Sequence, residues 1–364
     1  MDLFSPVTLG DLHLSNRIVM APLTRMRSGQ AGVPDALVAR YYAERASVGL
    51  IISEGTYPSH ESRSYLGSPG IVTNEQMEGW RGVADAVHAK NGRIVMQLMH
   101  GGRASHTAIT GTDRIVAPSP IAISGEARTP TEKAAYPIPH ALSKSELAVV
   151  RREFVAAARN AIEAGLDGVE LHSANGYLLH QFLSPASNQR EDEYGGNPEA
   201  RSRFIVEVAT VVAEEIGAGK VGIRLSPMNQ LLDVQESDLE EVQVTYSTLI
   251  DGLVPLDLAY LSLLHSEPTG TLVQGLREQF GGPFVANSGF GGITNRDEAR
   301  SLMDGAHADA IAVGRLVLAN PDLVDRWRRS LPESQPNGPT YYTSGAEGYT
   351  DYPALAHGEP PAAA

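Results

Sequence analysis

Along the whole chain, short runs of apolar and β-branched residues alternate with longer stretches whose apolar positions recur at helical spacing. The short runs predict strands over Arg17–Leu23 (RIVMAPL), Leu50–Glu54 (LIISE), Arg93–Leu98 (RIVMQL) and Gly168–His172 (GVELH). Four more follow at Val221–Leu225 (VGIRL), Leu256–Leu263 (LDLAYLSL), Phe284–Asn287 (FVAN) and Ala310–Val313 (AIAV). Their near-continuous apolar character suits strands covered by helices. Helical patterns fill the gaps, among them Asp35–Ser47, Glu75–Lys90, Lys144–Ala164, Pro198–Ile216, Asp238–Gly252 and Asn295–Asp304. Two open on start signals: Ser143 stands three residues before Glu146, and Asn197 precedes Pro198.

Eight such βα units predict an α/β fold, a (β/α)8 TIM barrel, because strand–helix alternation closes most simply into a parallel barrel. A doubly wound sheet is the rival architecture. It is weakened by Ala21, Pro22, Leu23 and Thr24, which stand after the first strand where a GxGxxG turn would be needed. The surplus length falls in three places. Phe4–Arg17, with Gly10 and Asp11 at its turn, predicts a β-hairpin that plugs the barrel floor. Gly101–Leu142, rich in Gly, Pro and Thr, predicts a lid-like excursion after the third strand. Pro332–Ala364 is a Pro/Gly/Tyr-rich tail. Residues 1–355 are therefore expected to form one barrel domain and 356–364, ending EPPAAA, a flexible tail.

Composition narrows the function. The 364 residues contain no cysteine, which removes disulfide frameworks, thiolate metal sites, iron–sulfur clusters and cysteine nucleophiles. A net charge of −14 argues against nucleic acid as a partner. No run of about 18 apolar residues predicts a membrane span. The N-terminal MDLFSPVTLGDLHL lacks the pattern of a secretory leader, so a cytoplasmic location is the default expectation.

In a barrel the chemistry sits beyond the C-terminal ends of the strands. There the chain presents Thr24 and Arg25, Gln97 and His100, His172 with Asn175 and Tyr177, Arg224, Ser288–Gly289–Phe290, and Gly314–Arg315. Clustered histidines or carboxylates for a metal are missing from this set, and no strand carries a Schiff-base lysine. The glycine-bearing ends of the seventh and eighth strands fall where barrels commonly bind phosphate. A glycine that merely ends a strand is the plain alternative for each. In the same way, Arg224 could be a structural ion pair with Glu170, and His172 and Tyr177 could be packed core residues.

Taken together, the segments NRIVMAPLTRMR, GLIISEGT, QLMHGGR, GVELHSANGYLLHQFLSPASNQREDEYGG, GIRLSP, NSGF, VGRLVLANPDL and GYTDYP resemble the old yellow enzymes, FMN-dependent ene-reductases, over nearly the whole chain. The resemblance implies non-covalent FMN, with NADPH or NADH as reductant entering the same site as the substrate. It places Pro22, Leu23, Thr24, Gly55, Gln97 and Arg224 at the flavin ring, and Gly289, Phe290, Gly314 and Arg315 at its phosphate. It further implies that His172 and Asn175 bind the carbonyl or nitro oxygen of an activated alkene, that hydride passes from flavin N5 to the β-carbon, and that Tyr177 protonates the α-carbon. Tyr65, Met99 and Tyr349 are implied at the substrate pocket.

Two departures stand out: Met99 occupies a position where many relatives carry tryptophan, and two additional residues fall around Gly291–Gly292. Thr24 places the chain on the threonine-bearing side of the family. The absence of cysteine and the length separate it from cluster-bearing relatives such as dienoyl-CoA reductases. The partner expected is a small electrophilic alkene, and the assembly a monomer or homodimer. The alternatives are a non-catalytic FMN- or sugar-phosphate-binding barrel, and a flavin reductase specialised for nitrate esters or nitro compounds.

Overall fold

Eight parallel strands close into a barrel in this computed structural model, which describes residues 1–355. The expected flexible tail, 356–364, lies outside the described residues. The barrel strands are β1 (Ile18–Met20), β2 (Leu50–Ile52), β3 (Ile94–Leu98) and β4 (Gly168–Ser173), then β5 (Val221–Leu225), β6 (Tyr260–Leu264), β7 (Phe284–Asn287) and β8 (Ala310–Val313). They pair in sequence order and close where β8 meets β1, with Ile311 beside Ile18. The TIM-barrel expectation is met, and the doubly wound alternative is set aside.

Helices cover the outside, and their ends follow the local chemistry. The Ser143 hydroxyl and the Glu146 side chain form a reciprocal capping box at the start of Lys144–Glu163. Asn197 caps Pro198–Ile216 by accepting from the Ala200 N–H. Four strands are shorter than expected, β1 and β6 the most. The chain leaves β1 at Met20 because Pro22 has no N–H to give a ladder. The sixth strand starts at Tyr260 rather than Leu256, since Pro255 lies in a 3₁₀ turn and Asp257 takes a left-handed conformation, φ 52°.

The N-terminal hairpin forms as expected from Val7–Leu9 and Leu12–Leu14. Leu9, Leu12 and Leu14 pack against Val19, Leu50, Ile52, Val95 and Ala312, so the lower lumen is filled by apolar side chains. Gly10 turns with φ +55°, and a Cβ there would lie 2.5 Å from the Gly219 carbonyl oxygen, so only glycine fits.

The 101–142 excursion carries a short hairpin, Glu126–Arg128 with Lys133–Ala135. It is tied to the loop after β5: the Arg103 guanidinium donates to the carbonyls of Leu232 and Asp233, and the Ser124 N–H donates to the Asp233 carboxylate at 2.6 Å. Its Ile123 packs with Met99 and Tyr177, which puts the excursion over the top of the barrel. Among the described residues no helix is long and apolar enough to cross a membrane.

Candidate active site

Above the plug the lumen changes character. The Gln97 amide donates to Glu170 Oε1 at 2.8 Å and the Tyr260 hydroxyl donates to Oε2 at 3.1 Å, making a polar layer across β3, β4 and β6. Gly222 makes room for it, because a Cβ there would sit 2.2 Å from the Tyr260 ring. Burial raises the Glu170 carboxyl above its ordinary range, opposed first by the nearby Arg224 charge.

One register step higher, His172 of β4 stands beside Arg224 of β5, and Arg224 beside Ser262 of β6. Arg224 is 3% exposed, its Nη1 makes only a long bond of 3.4 Å to the Ser262 hydroxyl, and its Nε has no protein partner. Among the described residues no carboxylate forms an ion pair with it, the one weighed with Glu170 included; Glu170 instead accepts from Gln97 and Tyr260. A buried guanidinium with an unmet donor is costly unless a ligand completes it.

His172 is also unmet: its Nδ1 is buried without a hydrogen-bond partner. Burial, then the Arg224 charge, hold its imidazole well below the usual range, so it is neutral at pH 7. Beyond it the chain turns sharply. Asn175 at φ 58° and Gly176 at φ 85° both adopt left-handed backbone, and the Asn175 N–H is fixed by the Ser226 hydroxyl at 2.8 Å. Asparagine is among the few side chains that tolerate this region, and such strain clusters at functional sites.

That turn delivers Tyr177 to the head of a short helix, Leu178–Leu183, with its ring 5.1 Å from the His172 ring. Its hydroxyl meets that of Tyr65 at 2.7 Å. Burial, and then Tyr65, push the Tyr177 phenol well above 10, so it is fully protonated at neutral pH. Met99 packs in the same cluster, its sulfur pressed against Gly55, where a Cβ would come within 2.6 Å. Tyr65, Met99 and Tyr177 thus meet in one pocket.

Tyr349 does not join them. It is fully buried, stacked on Tyr41 with ring centroids 3.9 Å apart and flanked by the Arg25 and Arg27 guanidinia, so it anchors the tail against the first βα unit. The tail tyrosine whose charge bears on Tyr65 and Tyr177 is Tyr342, 58% exposed. The only sequence signal for it is the Tyr341–Tyr342 pair. Tyr136, from the excursion, joins this group.

On the opposite rim, Gly289 takes φ 85° and its N–H is turned towards the Asn287 side chain, while Gly314 precedes a short helix, Arg315–Ala319. Arg315 donates to the carbonyls of Phe290 at 2.7 Å and Gly292 at 3.3 Å, which ties down the Phe290–Gly292 segment. Phe290 itself is 53% exposed, and its carbonyl braces the Arg315 guanidinium. Pro22, Leu23 and Thr24 lie partly exposed just past β1, with Leu23 3.7 Å from where a Gly314 Cβ would be. The arrangement fits FMN: a buried cation and an amide for an electron-rich ring, a neutral imidazole and a protonated phenol above it, and a glycine-bearing rim with an arginine for the phosphate.

Comparison with known proteins agrees. The family model described as the NADH:flavin oxidoreductase / NADH oxidase family matches residues 2–334. A probable flavin mononucleotide-dependent alkene reductase of Leishmania infantum is 40% identical over 365 residues, covering 97% of each chain. The 12-oxophytodienoate reductase 1 of Oryza sativa subsp. japonica is 40% identical over 97% of this chain and 93% of its own length. Among solved structures, the old yellow enzyme homologue from Zymomonas mobilis superposes with a TM-score of 0.92 at 36% identity, covering 98% of this chain and 100% of that one. Morphinone reductase gives 0.91 at 38% identity, over 98% and 97% of the two chains. The chain belongs to the NADH:flavin oxidoreductase family in its old yellow enzyme branch, and is an NAD(P)H-dependent flavin oxidoreductase.

Proposed function

We propose that the protein reduces the activated C=C bond of α,β-unsaturated carbonyl or nitro compounds, with residues 1–355 acting as one catalytic unit and NADPH or NADH as the reductant. When bound, non-covalent FMN supplies the hydride relay between nicotinamide and alkene. Gln97 and Arg224, with Pro22, Leu23, Thr24 and Gly55, are the groups placed to hold its ring; Gly289, Phe290, Gly314 and Arg315 are those placed to hold its phosphate.

The chain's own contribution to the alkene is polarisation and protonation. His172, neutral and with an unmet buried nitrogen, and the Asn175 amide donate to the substrate oxygen and draw electron density from the β-carbon. Tyr177 then gives its proton to the α-carbon. A phenol held this high is a weak acid towards water, yet it is a competent donor to a carbon that has just gained charge. Tyr65 holds that hydroxyl in place.

The observation that carries the proposal is the convergence of His172, Tyr177 and Tyr65 beside a buried Arg224 whose Nε is unmet. The test is direct. Purified protein is expected to be yellow, to bleach anaerobically with NADPH or NADH, and to regain colour on adding 2-cyclohexenone. Colourless protein that takes up no FMN would refute the proposal; yellow protein inert towards every activated alkene would favour a binding module.

A further inference from the structure

An asparagine can help bind a carbonyl oxygen only if its amide presents NH2 rather than C=O, and nothing in β4 itself decides which way Asn175 points. The loop after β5 does. The Leu231 N–H donates to Asn229 Oδ1 at 2.7 Å, which commits that oxygen and leaves the Asn229 NH2 on the other side. The NH2 then donates to Asn175 Oδ1 at 3.3 Å. With its oxygen engaged, Asn175 has only its NH2 left for a ligand.

Asn229 is itself held from below. Its backbone N–H donates to Glu236 Oε2 at 3.3 Å, and the Glu236 N–H returns a bond to the Asn229 carbonyl at 3.2 Å. Glu236 is buried among donors: His180 Nε2 at 2.9 Å and the Tyr246 hydroxyl at 3.1 Å. With its proton on Nε2, His180 accepts the Gly176 N–H at Nδ1, 3.0 Å away. Both flanks of the Asn175–Gly176 turn therefore return to one carboxylate. The fit is close, since a Cβ on Gly176 would come within 2.7 Å of the Leu231 carbonyl oxygen.

We propose that Asn229 is a positioning residue that fixes the amide of Asn175 with its NH2 towards the substrate oxygen, and that Glu236 is the anchor of this device. The inference rests on the reading of Asn175 as an oxygen-binding group. Two substitutions separate orientation from simple loss of packing. In Asn229→Asp one carboxylate oxygen keeps the Leu231 N–H, while the other faces Asn175 Oδ1 and drives the amide to flip, so that oxygen faces oxygen at the ligand. Asn229→Ala removes the director without reversing it.

The readout is titration of the oxidised, FMN-loaded protein with 4-chlorophenol, followed by the long-wavelength charge-transfer absorption, alongside Kd for FMN and the kcat and KM for 2-cyclohexenone. Asn229→Asp is expected to weaken phenol binding by about tenfold or more, the scale of one lost hydrogen bond plus an unpaired acceptor, and Asn229→Ala by about threefold. FMN affinity should be unchanged in both. Adding Asn229→Asp to Asn175→Ala should cost nothing further, because the amide to be directed is gone. Asn229→Asp with wild-type phenol affinity, or an effect that persists undiminished in the Asn175→Ala background, would overturn the proposal. If Asn175→Ala alone leaves phenol binding intact, the oxygen-binding reading is what fails.

Discussion

The two sides of the barrel mouth solve different problems. On the β4–β5 side, His172, Asn175, Tyr177 and Arg224 are buried, strained or unmet, and braced by Ser226, Tyr65 and the loop after β5. On the β7–β8 side, Gly289, Phe290, Gly314 and Arg315 are partly or fully exposed and rely on backbone groups and one guanidinium. Under the proposed function, the difference follows from when charge appears. A phosphate is already charged and tolerates water; charge on a substrate oxygen develops only during the reaction, and donors there act best when dry and fixed beforehand.

The largest effect should come from the dry side. Replacing His172 and Asn175 together by alanine is expected to lower enone turnover by at least about 10³-fold and to abolish phenol charge transfer, since loss of a single preorganised donor already costs roughly 10²–10³-fold. FMN content, measured by absorbance of the washed protein, should stay at wild-type level. Loss of FMN in this variant would break the division between the two sides.

Next comes Tyr177→Phe, which keeps the ring in its cluster and removes only the proton. Stopped-flow oxidation of the reduced protein by enones is expected to slow by about 10²-fold, within the usual range for a general acid. Reduction by NADPH should be almost unchanged, and nitroalkenes, whose nitronate product needs no immediate proton, should be affected less. Equal loss in both half-reactions would mean that Tyr177 packs rather than donates.

Arg315→Ala addresses the wet side. Its loss is expected to raise the Kd for FMN by roughly 50-fold, the scale of a charge-assisted hydrogen bond to phosphate. Turnover at saturating FMN should remain near wild type, because no donor to the substrate oxygen has moved.

How much of this was legible beforehand differs in the same way between the regions. Hydrophobic alternation exposed the barrel, and Gly10–Asp11 between LxL-like strands exposed the plug, because both are local signals carried by adjacent residues. His172, Asn175 and Tyr177 could be singled out because the turn that joins them is short. The resemblance puts Tyr349 at the pocket, whereas it stacks on Tyr41, because a Tyr-rich tail gives no local sign of which ring packs inward. The fates of Arg25 and Arg27 were equally hidden. They donate to carbonyls of the tail more than 300 positions away, at Gly348 and Thr340, and such pairings leave no periodicity to read. Asn229 belongs to the same category: its role exists only once β5 stands beside β4.

The smallest effect lies where the two sides join, just past Thr24. Glu54 is buried and accepts the N–H groups of Arg25 at 2.9 Å and Met26 at 3.1 Å, with its other oxygen unpartnered. Burial outweighs those bonds and the Arg25 and Arg27 charges, raising its carboxyl from 4.5 to about 6. Between these two values the folded protein holds the proton more tightly than the unfolded chain, so stability falls as pH rises through that window. The loss levels off about one unit above that folded-state value and amounts to about 2 kcal/mol at most. Glu54→Gln keeps an acceptor for the two N–H groups but cannot ionise, so its denaturant midpoint should change less between pH 4.5 and 7 than that of the wild type. Turnover should be unaffected, because Glu54 touches the backbone that follows Thr24 and neither the proposed oxygen-binding donors nor the proposed phosphate rim. A variant whose stability still falls like the wild type would show that the carboxyl is not the titrating group. One that kept its stability and lost FMN would show that the Arg25–Met26 segment, and with it Thr24, is set by the charge on Glu54 rather than by its hydrogen bonds.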